Sequence, residues 1–386
     1  MKASRLVILV VMFFVSLGCI AFSSNPSSTL GPAQLPATAP TLPVLASAEI
    51  PSSQPATPLP FTPTLAFEPA SQATPLPLAP LKLSGRVIFT DNQTGIQQLD
   101  MATGVISTLF KPPENGYVVA SSVSPDGTQI AIAYQPPPSI TTPGAFPMYG
   151  YTNIYLLPSQ GPEMPQLYLK GDSDKDILIL PFWSPDGKYL YYVHYHSDQD
   201  SYNLERAAYP GGKPETIVRG GILFARLSPD GSKVVYLKQN PSSYQYSLNI
   251  ADASGANQTT LVGANVFFTM DVAVFSPDGQ SVIFSAVGLP QSSGRPNAPV
   301  FLTDWFGPGI AADGNLPSDL WKVSVHGGAP RQLTNLGEFS VYPVFSPDGQ
   351  RMVILAAGGI YLLNTDGTNV VRLTDSGSVG TADWVP

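Results

Sequence analysis

The chain has 386 residues, enough for one large domain or two ordinary ones. Aromatic residues make up 10% and charged residues only 12%, beside 34 Gly and 41 Pro, a mix that favours short strands and tight turns over helices. The net charge of −8 argues against nucleic-acid binding, which needs clustered Lys and Arg, and the single cysteine, Cys19, excludes intrachain disulfides and multi-cysteine metal sites.

Lys2 and Arg5 open the sequence, and residues 6–17 are apolar except for Ser16. This run is short of the roughly 20 residues that span a bilayer but suits the apolar stretch of an export signal. It ends on Cys19, where a bacterial lipoprotein is cleaved and lipidated, although Ser16 stands where such a motif usually carries Leu. Residues 1–19 are therefore expected to be a lipoprotein signal or anchor lipidated at Cys19, with a plain signal peptide or uncleaved anchor as the alternative. Either way the remainder lies outside the cytoplasm, membrane-anchored in the cell envelope or secreted.

Residues 20–80 hold 14 prolines and two charges, Glu49 and Glu68. Repeated proline fixes φ and removes donors, so neither helix nor sheet is expected; the segment reads as a disordered, extended linker.

From residue 81 onward the sequence repeats. Ser-Pro-Asp-Gly occurs five times, at 124–127, 184–187, 228–231, 276–279 and 346–349, each copy between two apolar stretches. Pro pre-sets φ at the first central position of a turn, and Gly accepts φ > 0 where the chain re-enters a strand, so each copy predicts a hairpin between two strands, A and B. A second hairpin follows downstream, clearest at 360–364 with 370–374 and at 320–325 with 331–334; these are strands C and D. Four antiparallel strands per repeat form a propeller blade. The first unit (86–90, 95–100, 105–110) lacks an A strand, and residues 381–386 align with 342–347 as an A strand with nothing after it. The expected fold is all-β: a six-bladed β-propeller over residues 81–386, closed by the C-terminal strand pairing into blade 1.

These repeats resemble the Pro-Asp (WD-like) propeller repeats of the TolB-like family, and also the N-terminal propeller region of dipeptidyl-peptidase-type hydrolases. The resemblance covers about 300 residues, essentially the whole of the expected folded part. It implies fold rather than function, since propellers host binders, scaffolds and enzymes. Two departures stand out. A linker stands where TolB has a folded domain, and no Gly-x-Ser-x-Gly nucleophile elbow occurs.

No phosphate-binding or dinucleotide motif is present. His194 and His196 alternate at the end of a B strand and share a face, so a metal is conceivable, but no third ligand is identifiable; they read as tyrosine-flanked edge histidines. Asp172, Asp174 and Asp176 have the spacing of a calcium loop without its Gly and Glu, and read as a solvated acidic loop. No cofactor is expected, calcium or another divalent ion at these residues being the alternative.

The B–C loops and D–A connections of a propeller share one face. The B–C loops of blades 2 and 5 carry inserts, around 135–151 with Phe146, Tyr149 and Tyr151, and around 287–318 with Phe301, Trp305 and Phe306. Phe267, Phe268 and Phe339 fall on D–A connections of the same face. These aromatics are the binding candidates, with Trp305 as the anchor. The expected function is a monomeric, non-catalytic binding or scaffold propeller for an envelope or extracellular protein, peptide or glycan. The alternative is a hydrolase or lyase acting on a polymer in the central pocket, with Asp271, Asp383, Arg226, His194 and His196 as candidates.

Overall fold

The computed structural model describes residues 83–91, 94–137, 152–160, 164–288, 317–339 and 341–386. All five Ser-Pro-Asp-Gly strings form the expected hairpin turns. In each, the Ser hydroxyl donates to Asp Oδ1 at 2.5–2.7 Å and accepts the backbone N–H five residues on at 2.9–3.0 Å. The Gly N–H donates to the Ser carbonyl, and Gly adopts φ of +68° to +71°, where a Cβ would be strained. The Ser hydroxyls hold the exposed Asp carboxyls below their usual range, Asp186 and Asp230 at about 2.

Among the described residues, 24 strands form six four-stranded antiparallel sheets, five of whose inner hairpins these turns close. Blade 1 contains β1 (Arg86–Asp91), β2 (Gly95–Asp100) and β3 (Ile106–Phe110). Blade 2 is β4 (Tyr117–Val123), β5 (Gln129–Gln135), β6 (Asn153–Pro158) and β7 (Gln166–Leu169). Blade 3 is β8 (Ile177–Trp183), β9 (Tyr189–His196), β10 (Ser201–Ala208) and β11 (Glu215–Val218). Blade 4 is β12 (Ile222–Leu227), β13 (Lys233–Gln239), β14 (Tyr246–Asp252) and β15 (Thr259–Val262). Blade 5 is β16 (Thr269–Phe275), β17 (Ser281–Val287), β18 (Ser318–Ser324) and β19 (Arg331–Gln332). Blade 6 is β20 (Tyr342–Phe345), β21 (Arg351–Ala356), β22 (Gly359–Asn364) and β23 (Val371–Arg372), and β24 (Ala382–Val385) is the last strand.

β24 pairs antiparallel with β1, Arg86 opposite Val385 and Phe89 opposite Ala382, so the C-terminus supplies the innermost strand of blade 1. The outer strands β19 and β23 are shorter than the repeats suggest. Each has a partner on one side only, and a short outer strand limits the exposed hydrogen-bonding edge. The second strand of each blade is nearly continuously buried, as in Ile130–Tyr134 and Met352–Ala356, because both of its faces pack against neighbouring blades.

Further bonds tie blade to blade. Trp183 Nε1 donates to the Ser122 carbonyl at 3.2 Å. At the closure, Thr381 Oγ1 accepts the Ser121 N–H at 2.7 Å and donates to the Ser121 carbonyl at 2.8 Å. Within blade 1, Trp384 Nε1 of β24 donates to the Ser84 carbonyl just before β1 at 3.1 Å. The A–B turns, Arg86 and Val385 lie on one side of the ring, the turn side. The B–C loops and D–A connections lie on the other, the rim.

Candidate functional site

Blade 3 gathers buried polar side chains near the rim. The alternation of β9 puts Tyr192, His194 and His196 on one face. The β9–β10 register sets His196 opposite Ser201 and Tyr192 opposite Glu205, bringing Glu205 to that same face. The connection from β7 to β8 adds Asp176.

His194 Nδ1 lies 2.9 Å from Glu205 Oε2, and His196 Nε2 lies 2.7 Å from Glu205 Oε1. The imidazole rings are 3.7 Å apart between centroids. Asp176 Oδ1 accepts the Ser197 backbone N–H at 3.0 Å and its hydroxyl at 2.7 Å; Oδ2 accepts the Ser173 N–H at 3.1 Å. Asp176 Oδ2 also stands 3.4 Å from His194 Nε2, which has no hydrogen-bond partner among the described residues. The Asp176, His194 and Glu205 side chains are only 4–6% exposed, and that of His196 14%.

Burial alone would raise the Asp176 and Glu205 carboxyls. Hydrogen bonds from Ser197 to Asp176, and from His194 and His196 to Glu205, outweigh it and hold both below their ordinary values. Burial likewise opposes charge on His194, yet Glu205 and Asp176 raise its affinity for a proton.

The structure thus brings Asp176, His194 and His196 together, with ligand atoms within 4.8 Å of one another. Asp172 and Asp174 stay exposed and do not join them; Asp174 pairs with Lys170 at 3.0 Å. Glu205 is the member that sequence reasoning missed. Its signal was an acid inside an apolar strand, four residues past the end of a hairpin whose register fixes its face.

On the rim, Phe268 is 60% exposed and Tyr244, in the B–C loop of blade 4, is 56% exposed. Phe267 is not available to a partner: it is buried edge-on against Phe284 and Trp321, at 5.5 and 4.9 Å between centroids. The two phenylalanines lie in the bend just before β16, where one packs inward and the other faces solvent. Phe339 is half-buried. Tyr149, Tyr151, Phe301, Trp305, Phe306 and Cys19 lie outside the described residues.

Comparison with solved structures agrees with this architecture. A protein described as TolB from Agrobacterium tumefaciens superposes with a TM-score of 0.53 at 16% identity, over 78% of this chain and 94% of that one. TolB from Acinetobacter baumannii gives 0.51 at 19% identity, over 78% and 67%. The fold is that of a TolB-like propeller. A chain of a nidogen/laminin complex matches with a TM-score of 0.52 at 11% identity, over 77% and 97%. No family model and no curated protein sequence matches the chain.

In this TolB-like ring the inner strands carry the remaining candidates. Arg226 of β12 reaches across to blade 6, where its Nη2 donates to the Tyr342 hydroxyl at 2.7 Å. Its guanidinium carbon lies 4.8, 5.2 and 5.9 Å from the ring centroids of Phe224, Phe182 and Tyr342, a cation held among aromatic faces. Asp383 of β24 does not pair with it directly; its Oδ2 accepts the Val123 N–H at 2.7 Å. Burial pushes the Asp383 carboxyl up to about 6 against the attraction of Arg226. Burial likewise pushes Asp271, on β16 of blade 5, up to about 6. Arg226, Asp383, Asp271 and the histidines therefore sit on separate blades. Among the described residues, no helix is long and apolar enough to cross a membrane.

Proposed function

We propose that this chain is a non-catalytic binding or scaffold propeller acting outside the cytoplasm, whose rim takes a protein, peptide or glycan. One observation carries the reading: among the described residues, the large exposed aromatics are Tyr244 and Phe268, and both stand on the rim of neighbouring blades. Exposed aromatics give large contact area at low entropic cost and dominate binding hot spots. The chain also leaves β5 and β17 and re-enters β6 and β18 on this side, so the inserts bearing Tyr149, Tyr151, Phe301, Trp305 and Phe306 start and finish at the rim. One of the matched structures comes from a complex between two proteins, which favours a protein partner. A polymer-cleaving pocket has less support, because the Arg226–Tyr342 bond spans the central channel where substrate would need room.

The test compares capture from an envelope extract by the full chain and by Tyr244→Ala/Phe268→Ala. The expected result is loss of the same retained species, with affinity reduced by about 30-fold or more if these are hot spots of 2 kcal/mol or above. The thermal midpoint should not move, since neither ring is buried. Trp305→Ala should behave alike if it is the anchor; a lowered midpoint with intact capture would make it a packing residue.

The address belongs to the same proposal: residues 1–19 direct export, Cys19 carries a lipid, and residues 20–80 act as a spacer to a monomeric propeller. Labelling cells with a fatty acid should mark the wild type and not Cys19→Ser, which should leave the membrane fraction. An unlabelled wild type with equal membrane recovery of both proteins would exclude lipidation.

A further inference from the structure

The buried cluster of blade 3 poses a problem of chemistry. Glu205 is an acceptor when ionised, so the 2.9 Å contact places a proton on His194 Nδ1. In neutral imidazole this leaves a lone pair on Nε2, facing a carboxylate oxygen, Asp176 Oδ2, at 3.4 Å. Two buried acceptors do not face each other without something positive between them.

A shared proton would draw the pair to about 2.7–2.9 Å, the length of a charge-assisted hydrogen bond. The observed 3.4 Å is longer. It matches the edge of a tetrahedral zinc site, where two ligand atoms about 2.0–2.1 Å from the ion stand about 3.3 Å apart. His196 offers a third ligand atom within 4.8 Å of the other two; because its Nε2 donates to Glu205, Nδ1 is the nitrogen left to bind an ion. From this geometry we infer that Asp176, His194 and His196 form a binding site for a divalent transition ion of the zinc class.

The donor set selects the ion. Two imidazoles and one carboxylate suit zinc and its first-row neighbours, whereas calcium and magnesium prefer oxygen throughout. Glu205 acts as a positioning residue: accepting from His194 Nδ1, it fixes the tautomer and aims Nε2 at the site. Ser197 and Ser173 orient the Asp176 carboxylate in the same way. The ion would pin the connection between blades 2 and 3 to the second strand of blade 3. Such low exposure suits a structural ion better than an open catalytic one.

The experiment uses the purified full chain, stripped with a chelator and dialysed, then titrated with zinc chloride and, separately, calcium chloride. Bound metal is counted by elemental analysis after desalting. The expected result is one zinc per chain, a higher thermal midpoint with zinc, and no such rise with calcium. His194→Gln and Asp176→Asn should lose the ion, and Glu205→Gln should bind about 10–100-fold more weakly. Asp174→Asn and His326→Gln, at exposed positions, should bind like the wild type. Because a core variant can fail to fold, the wild type also stands alone: cobalt in place of zinc should give the visible spectrum of a low-symmetry site with nitrogen ligands. A stripped wild type that takes up no zinc, or zinc that vanishes with His326→Gln, would overturn the assignment.

Discussion

Removing residues 380–386 is expected to destabilise the whole propeller, lowering its unfolding midpoint, instead of fraying one end. Without β24, β1 loses its inner partner, and blades 1 and 6 face each other across an open seam. The buried Trp384 and Ala382 are removed, and the bonds from Thr381 to Ser121 and from Trp384 to Ser84 go with them. Trp384→Ala alone is expected to cost about 3–5 kcal/mol, as for a buried aromatic cut to Ala. For a domain of about 300 residues that lowers the midpoint by roughly 5–8 °C. A finer probe is Gly380→Ala, since a Cβ there would stand 2.1 Å from the Thr90 carbonyl oxygen, a backbone atom of the strand that the clasp holds. Thermal denaturation followed by circular dichroism reads all three. An unchanged midpoint in the deletion would mean that the ring closes by other contacts.

Asp383→Asn is expected to stabilise the domain at neutral pH and to leave it unchanged in acid. The carboxyl is pushed up to about 6 in the folded protein, against about 3.9 for an unstructured Asp. Below about pH 4 it is protonated in both states and carries no penalty. As pH rises to about 6 the unfolded chain ionises first, stability from this group drains away, and above about 6 the loss is complete. Two units correspond to nearly 3 kcal/mol, and the water that reaches this partly exposed side chain reduces the expected gain to about 2 kcal/mol. Arg226 faces the carboxylate and lessens the penalty, while Tyr342 is the other titratable group beside it. Asn keeps an acceptor for the Val123 N–H. Denaturant titrations at about pH 3.5 and pH 7.5 measure the difference; equal effects at both would show that the carboxylate is not penalised.

How much of this was legible in the sequence depended on the range of the interactions. The Ser-Pro-Asp-Gly turns are local, their bonds closing within five residues, so sequence sufficed to place them. The clasp was legible as well, because residues 381–386 repeat a pattern that occurs earlier in the chain and need only a partner, which β1 lacked. The blade 3 cluster was not legible as a whole. His194 and His196 announced a shared face, but Asp176 reaches them from another blade's connection, and Glu205 looked like an acid stranded in an apolar strand. Asp172, Asp174 and Asp176 read as a solvated acidic loop, which holds for the exposed Asp172 and Asp174 but not for Asp176, buried against Ser197 and His194 through contacts from distant residues. The cross-channel bond from Arg226 to Tyr342 joins residues 116 positions apart, and no local pattern encodes it.

The place where the chain joins the ring has a mechanical consequence. Ser84 and Arg86 lie on the turn side, beside Val385, and the rim lies on the other. A load arriving from upstream and resisted by a partner on the rim is passed along the axis of the ring, entering through β1. That strand is flanked by β2 on one side and by β24 on the other, so the pull shears two antiparallel ladders together and does not unzip one edge rung by rung. Shear of this kind breaks many hydrogen bonds at once. For a protein anchored upstream and held by a partner on the rim, as proposed above, the closing strand would act as a grip at the point where the pull arrives.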